Sequence, residues 1–263
     1  MDKYGLIGNP VDHSFSADYF NTKFAENGID ARYDAYQLND IDKLVNLLND
    51  NPDLIGLNVT SPFKQQVMKY VDVLSPDAEA VQAVNTVYIR RNSTSANHGC
   101  ILNGVTVFGH NTDIEGFRTL VTPYLETYAN PRALILGSGG AARAVAAALV
   151  QLKVDYRMVS RSPQSDAVLS YSDIDDNLMS NIDFIIDATP LGMGTLSDEK
   201  PPLDYSLISG KHTCIDLVYN PAETLFMREC AARGARVCNG LRMLIGQAEA
   251  SWRFWCDMYR HER

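Results

Sequence analysis

Arg132-Ala133-Leu134-Ile135-Leu136-Gly137-Ser138-Gly139-Gly140-Ala141-Ala142 is an apolar run that breaks on glycine and continues in small residues through Ala147 and Leu152. It reads as a buried strand turning directly into a helix, the context in which G-x-G-x-x-A becomes a dinucleotide fingerprint. Glycines there let the backbone approach a pyrophosphate, whose oxygens meet the unpaired N–H groups of the helix start. Gly137, Ser138, Gly139, Gly140, Ala141 and Ala142 are therefore candidate cofactor-binding residues.

The next strand, Tyr156 to Val159, ends in Ser160-Arg161-Ser162, about 20 residues past the glycines, where NAD-specific folds carry an acid for the ribose 2′-hydroxyl. No acid stands there. A guanidinium flanked by hydroxyls suits a 2′-phosphate, so NADP is expected, with NAD as the alternative; the rival reading of Arg161 is a side chain stacked on adenine or left in solvent. The stretch from Ser160 to Asp187 is short for a helical crossover, and Asp166 to Tyr171 itself reads as a strand. Ile182 to Asp187 and Thr213 to Leu217 are further strands, followed by a helix between Glu223 and Arg233 and a short strand at Arg236 to Cys238. Asn239 to Leu244 then turns into a last helix carrying Gln247, Trp252 and Trp255.

Upstream, the chain alternates strand and helix. Tyr4 to Gly8, Asp30 to Leu38 and Leu54 to Val59 read as strands, separated by a helix with Ala17, Phe20 and Phe24 on one face and another over Asp40 to Asn49. This β-α-β-α-β order implies a mostly parallel sheet. The third strand runs into Asn58-Val59-Thr60-Ser61-Pro62-Phe63-Lys64, delivering amide, hydroxyl and ammonium groups to the carboxyl edge where open α/β sheets bind ligands. Read alone, Lys64 is also compatible with a solvated residue at the start of a helix through Val67 and Tyr70. Ser16 and Asp113 are equally compatible with helix N-caps. Arg91 to Gly99 reads as an exposed hairpin loop before Val105 to His110.

With 263 residues, 46% hydrophobic and 21% charged, the chain is long enough for two modest domains. A formal net charge of -9 leaves no broad basic face and argues against a nucleic-acid partner. Five cysteines without a C-x-x-C pair fit reduced thiols, and no metal site is expected. The first residues lack the apolar core of a signal peptide, and no segment reaches the roughly 18 apolar residues of a membrane span. A cytoplasmic protein is expected.

Taken together, Asn9-Pro10 with Ser14 and Ser16, Asn58 to Lys64, Ala83 to Thr86, Asn111 to Asp113, Gly137 to Ala142, Ala188 to Met193, and Gly240 to Leu244 with Gln247 occur in an order that resembles the shikimate dehydrogenases over essentially the whole chain. The resemblance implies an α/β protein of two domains. The first, 1–112 joined by the C-terminal helix 241–263, would bind substrate, and the second, 113–240, would be Rossmann-like and bind NADP, with the active site in the cleft between them. It further implies that Lys64 and Asp113 are the proton-handling pair. Ser14 and Ser16 would bind the substrate carboxylate, and Asn58, Thr60, Asn85, Tyr219 and Gln247 the rest of the ring. Ser160, Arg161, Ser162, Thr189, Leu217 and Gly240 would join the glycine loop around the cofactor. The implied reaction is reversible NADP-dependent reduction of 3-dehydroshikimate to shikimate by a monomer or homodimer. One departure is visible: relatives often place a further basic residue after the arginine, and this chain has Pro163-Gln164-Ser165. A quinate-using enzyme, a relative acting on an amino-substituted ring, and a catalytically silent ligand-binding homologue are the rival readings.

Overall fold

The computed structural model describes residues 1–11, 15–91, 102, 104–163 and 165–261. The chain divides into two compact units, Met1–Thr112 with Ala248–Arg263, and Asp113–Gln247.

In the first unit the chain runs β1 (Asp2–Gly8), α1 (Phe15–Glu26), β2 (Ala31–Gln37), a 3-10 turn (Ile41–Lys43) leading into α2 (Leu44–Asp50), and β3 (Leu54–Val59). A 3-10 helix (Gln66–Tyr70), β4 (Val73–Leu74), α3 (Pro76–Val81), β5 (Thr86–Arg91) and β6 (Val105–His110) follow. The six strands form one sheet in the order β2-β1-β3-β5-β6-β4. β1 pairs in parallel with β2 and β3, whereas β5 runs antiparallel to both β3 and β6. Because β5 is reversed, its first residue Thr86 lies opposite Asn58 of β3 and His110 of β6, at the edge where those strands end.

Alternation along the strands sorts side chains onto two faces. Ile7, Leu57, Val59, Val87, Ile89 and Val107 pack with Leu44 and Leu48 of α2. Tyr4, Phe20, Phe24, Tyr33, Tyr88 and Trp255 form a second, largely aromatic cluster. Trp255 is fully buried and its Nε1–H donates to the Val87 carbonyl at 2.9 Å. It lies against Gly56, where a Cβ would fall 2.7 Å from Trp255 Nε1, so glycine is what lets the indole reach the sheet.

The expected helix after Lys64 is a 3-10 helix, and the one over 40–49 is 3-10 for its first turn. Short pieces tighten this way because few i→i+4 bonds can form. The loop expected at 91–99 lies outside the described residues apart from Arg91.

The second unit contains α4 (Asp113–Leu125), β7 (Arg132–Leu136), α5 (Gly140–Gln151), β8 (Asp155–Val159), β9 (Val168–Leu169), α6 (Asp176–Met179), β10 (Phe184–Asp187), β11 (Thr213–Asp216), α7 (Leu225–Ala232) and β12 (Arg236–Cys238). The final helix, α8 (Leu241–Arg260), begins in this unit and from Ala248 onward belongs to the first. The parallel sheet has the order β12-β11-β10-β7-β8-β9, so the strand order reverses between β10 and β7. This is the doubly wound arrangement that binds nucleotides at its switch point. β9 is only Val168–Leu169, shorter than the strand expected over 166–171. It is reached from β8 through 160–167, where no described residue is helical. Among the described residues no helix is long and apolar enough to cross a membrane.

The indole–carbonyl bond of Trp255 yields a test. Trp255→Phe removes a buried donor and leaves a gap beside Gly56, so urea unfolding followed by far-UV circular dichroism should show a loss of about 2–4 kcal/mol.

Candidate functional site

In the first unit, the loop after β3 is held on both sides. Thr60 N–H donates to the Ile7 carbonyl at 2.9 Å, Phe63 N–H to the Thr60 carbonyl at 3.0 Å, and Val84 N–H to the Lys64 carbonyl at 2.8 Å. These bonds fix the backbone of Lys64 beside the start of β5, while its side chain is half-buried. Phe63 is buried in the core and anchors the turn from below.

At the ends of β3 and β6 and the start of β5 lies a layer of buried polar side chains. Asn58 accepts from the Tyr33 hydroxyl at 2.9 Å, and its amide donates to Ser251 Oγ at 2.8 Å and Thr86 Oγ1 at 3.1 Å. Asn85 Oδ1 accepts from the Thr112 backbone N–H at 2.7 Å. Ser251 Oγ is also 2.8 Å from Thr86 Oγ1 and 3.1 Å from Thr112 Oγ1. Asn58, Asn85, Thr86, Thr112 and Ser251 are all nearly or wholly inaccessible. Buried polar groups are tolerated when they satisfy one another, and such a network rigidifies its surroundings. Asn58 spends its amide inside this network, so its job is to brace β3 against β5 and α8. Ser16, buried in α1, hydrogen-bonds the Tyr33 phenol, whose pKa burial raises well above the ordinary value. Ser14 lies outside the described residues.

In the second unit, Gly137 has φ +112°, in the left-handed region that favours glycine, and a Cβ on it would fall 3.3 Å from the Ala188 carbonyl oxygen. Gly139 caps α5 without any side-chain hydrogen bond. A Cβ built on Gly139 or Gly140 meets nothing within 4 Å, so the space in front of the helix start is open. An anion such as a pyrophosphate fits this cradle, with the first N–H groups of α5 as donors. Ala141 is half-buried and Ala142 fully buried, so the motif turns from ligand side to core within one helical turn. Across the loop from β7, Ser138 Oγ lies 3.3 Å from Ser160 Oγ, which also accepts from Ser162 N–H at 3.2 Å. Arg161 is exposed on this turn.

Asp113 is the first residue of α4 and is 5% exposed. One turn on, Gly116 lets α8 approach: a Cβ there would fall 2.6 Å from the Met243 carbonyl and 2.9 Å from Gln247 Cβ. The start of α4 and Gln247 are thereby neighbours. Gly240 is a packing residue, since a Cβ on it would sit 2.0 Å from the Leu217 carbonyl oxygen. Tyr219 is half-buried, and burial raises its pKa.

Two groups that the sequence reading left unassigned stand at the ends of β10 and β11. Asp187 and Asp216 are register partners on adjacent strands and both are wholly buried. Asp187 Oδ1 accepts from Thr189 N–H at 2.9 Å and Thr189 Oγ1 at 2.7 Å. Asp216 Oδ1 accepts from Val218 N–H at 2.9 Å, and its Oδ2 accepts from the Thr224 hydroxyl. Burial, and then the neighbouring Asp216 charge, push the Asp187 carboxyl up to about 7; burial pushes Asp216 up to about 6. The available signal was a pair of apolar strands, each closing on aspartate, whose adjacency only the strand order reveals.

The model of the shikimate dehydrogenase substrate binding domain matches residues 6–87. A shikimate dehydrogenase (NADP(+)) from Clostridium beijerinckii is 33% identical, over 97% of this chain and 92% of the relative. The solved structure of shikimate 5-dehydrogenase from Thermus thermophilus in complex with NADP(H) and shikimate superposes with a TM-score of 0.79 at 29% identity, covering 97% of this chain and 93% of that one. Quinate dehydrogenase from Corynebacterium glutamicum in complex with NAD gives 0.80 at 27% identity over 97% and 93%. Identity at this level along nearly the full length of both chains, on the same doubly wound and mixed sheets, leads to one conclusion: the chain belongs to the shikimate dehydrogenase family.

Proposed function

We propose that this protein catalyses the reversible NADP-dependent reduction of 3-dehydroshikimate to shikimate. The observation that carries the proposal is the open glycine cradle at the switch point of the second unit's sheet, in a chain whose first unit fixes the Lys64 backbone to Val84 and holds a layer of buried amides and hydroxyls. A dinucleotide held by the glycine loop would supply hydride exchange with the ring carbon. The protein's own part is to bind, orient and move a proton.

Lys64 gives a proton to the developing alkoxide oxygen in the reducing direction and takes it back in the other. Asp113 orients the ammonium group, and its placement at the first residue of α4 keeps its backbone fixed. Ser14 and Ser16 receive the substrate carboxylate, and Thr60, Asn85, Tyr219 and Gln247 contact the hydroxyls and ring. Asn58 contributes by fixing Thr86 and Ser251. Ser160, Arg161 and Ser162 would hold the nucleotide's 2′-phosphate, Thr189 and Leu217 would join the cofactor site, and Gly240 packs on the Leu217 turn.

A second reading, quinate oxidation with NAD, is favoured by the likeness to the quinate enzyme and by Arg161 being the one cation in the described turn after β8.

Two variants test the assignment. Lys64→Ala should lower kcat by about 10²–10⁴-fold with shikimate affinity changed only severalfold; near-normal turnover would remove Lys64 from the proton path. Arg161→Ala should raise KM for NADP about tenfold or more and leave KM for NAD within about twofold, because only NADP loses a charge-assisted contact. Equal effects on both cofactors would contradict the 2′-phosphate role.

A further inference from the structure

The carboxyl pair at the ends of β10 and β11 is unequally served. Both oxygens of Asp216 accept hydrogen bonds, from Val218 N–H and from the Thr224 hydroxyl. Both donors to Asp187 converge on Oδ1, and Oδ2 has no hydrogen-bond partner among the described residues. A buried carboxylate whose second oxygen goes unmatched is costly, and two adjacent buried charges of one sign cost more. The pattern of donors places the charge on Asp216 and a proton on Asp187 Oδ2.

The surroundings of Asp187 support a neutral form. It faces Asp216 from β11, Tyr171 from the 3-10 turn Tyr171–Asp173, and Tyr205 from the 3-10 turn Tyr205–Leu207. The Arg161 charge acts on Tyr171, lowering its pKa, and Lys200, paired with Glu229, stands 4.4 Å from the Tyr205 ring centroid. No described cation forms an ion pair with either aspartate. Burial and then Asp187 push the Tyr171 phenol up to about 12, so it stays neutral beside the pair at ordinary pH.

Asp187 is tied to the nucleotide cradle through its own loop. Its Oδ1 holds Thr189, whose Oγ1 in turn accepts from Leu191 N–H at 3.3 Å. The Ala188 carbonyl and Thr189 Cγ2 lie 3.3 and 3.4 Å from the point where a Gly137 Cβ would stand. The loop gripped by Asp187 therefore packs directly on the glycine turn. We propose that Asp187 is a positioning residue of the nucleotide site that works as a neutral carboxylic acid, and that loss of its proton weakens dinucleotide binding. This rests on the nucleotide reading of the Gly137–Ala142 loop. Two effects act with the same sign: a carboxylate in that dry corner reorganises the Thr189 loop, and it adds negative charge beside a site for an anion.

The direction follows from linkage. A carboxyl raised in the folded protein stabilises the fold most at low pH, and that contribution is lost as pH rises through about 7. Binding that favours the protonated form must by reciprocity take up protons near neutrality.

The test is calorimetric titration of NADP and of NAD from about pH 6 to 8.5, in buffers of different ionisation enthalpy, on the wild-type protein and on Asp187→Asn, which keeps the shape without the charge. Infrared spectra of both proteins without ligand serve as an independent readout. The wild-type dissociation constant should rise roughly fivefold more across that range than the variant's, with greater proton uptake at about pH 7. The variant should also lack a protonated-carboxyl band that the wild type shows. Titration of the 2′-phosphate itself is common to both proteins, and NAD lacks it. Normal NADP binding with parallel pH profiles, or no band difference, overturns the role of Asp187 alone. Failure of the wild type to bind either dinucleotide at any pH, with the band present, overturns the nucleotide reading and the coupling together.

Discussion

Buried polar groups at the ends of strands must find partners, and that requirement shapes both units. A parallel sheet sends the last residues of its strands to one edge, where the backbone leaves the ladder and side chains begin to serve ligands. The first unit meets the requirement with neutral groups. Ser251 Oγ, 2.8 Å from both the Asn58 amide and Thr86 Oγ1, closes a layer in which amides and hydroxyls satisfy one another. The Lys64 carbonyl accepts from Val84 N–H, one residue before Asn85 of that layer.

The second unit meets the same requirement with two carboxyls. Asp187 and Asp216 cap the loops that follow β10 and β11 by accepting from Thr189, Val218 and Thr224. Carboxylates are strong acceptors and organise loops well, but a buried pair cannot remain fully ionised without cost. Asp187 carries the consequence because one of its oxygens lacks a donor. The glycine turn, the Thr189 loop and the carboxyl pair are therefore one mechanical unit.

Much of the architecture was legible in the sequence because its signals are local. The strand-glycine-helix turn at Gly137, the apolar periods of α1 and α5, and the β-α-β-α-β order each lie within a short window. What escaped was long-range or short-period. Five residues after Lys64 cannot declare whether their turns are 3-10 or α, and β9 pairs for only two residues. Ser251 and Tyr33 became visible only when folding brought α8 and β2 to Asn58, which no spacing rule encodes. Asp113 read alone as an N-cap; in the structure it is a buried first residue of α4, beside the helix that bears Gln247.

Nicotinamide absorbance during turnover of the intact protein with shikimate or quinate, each paired with NADP or NAD, tests the reaction most directly. Shikimate with NADP should give the highest kcat/KM of the four. Preference for quinate with NAD, or no reduction of either cofactor by either acid, would contradict it.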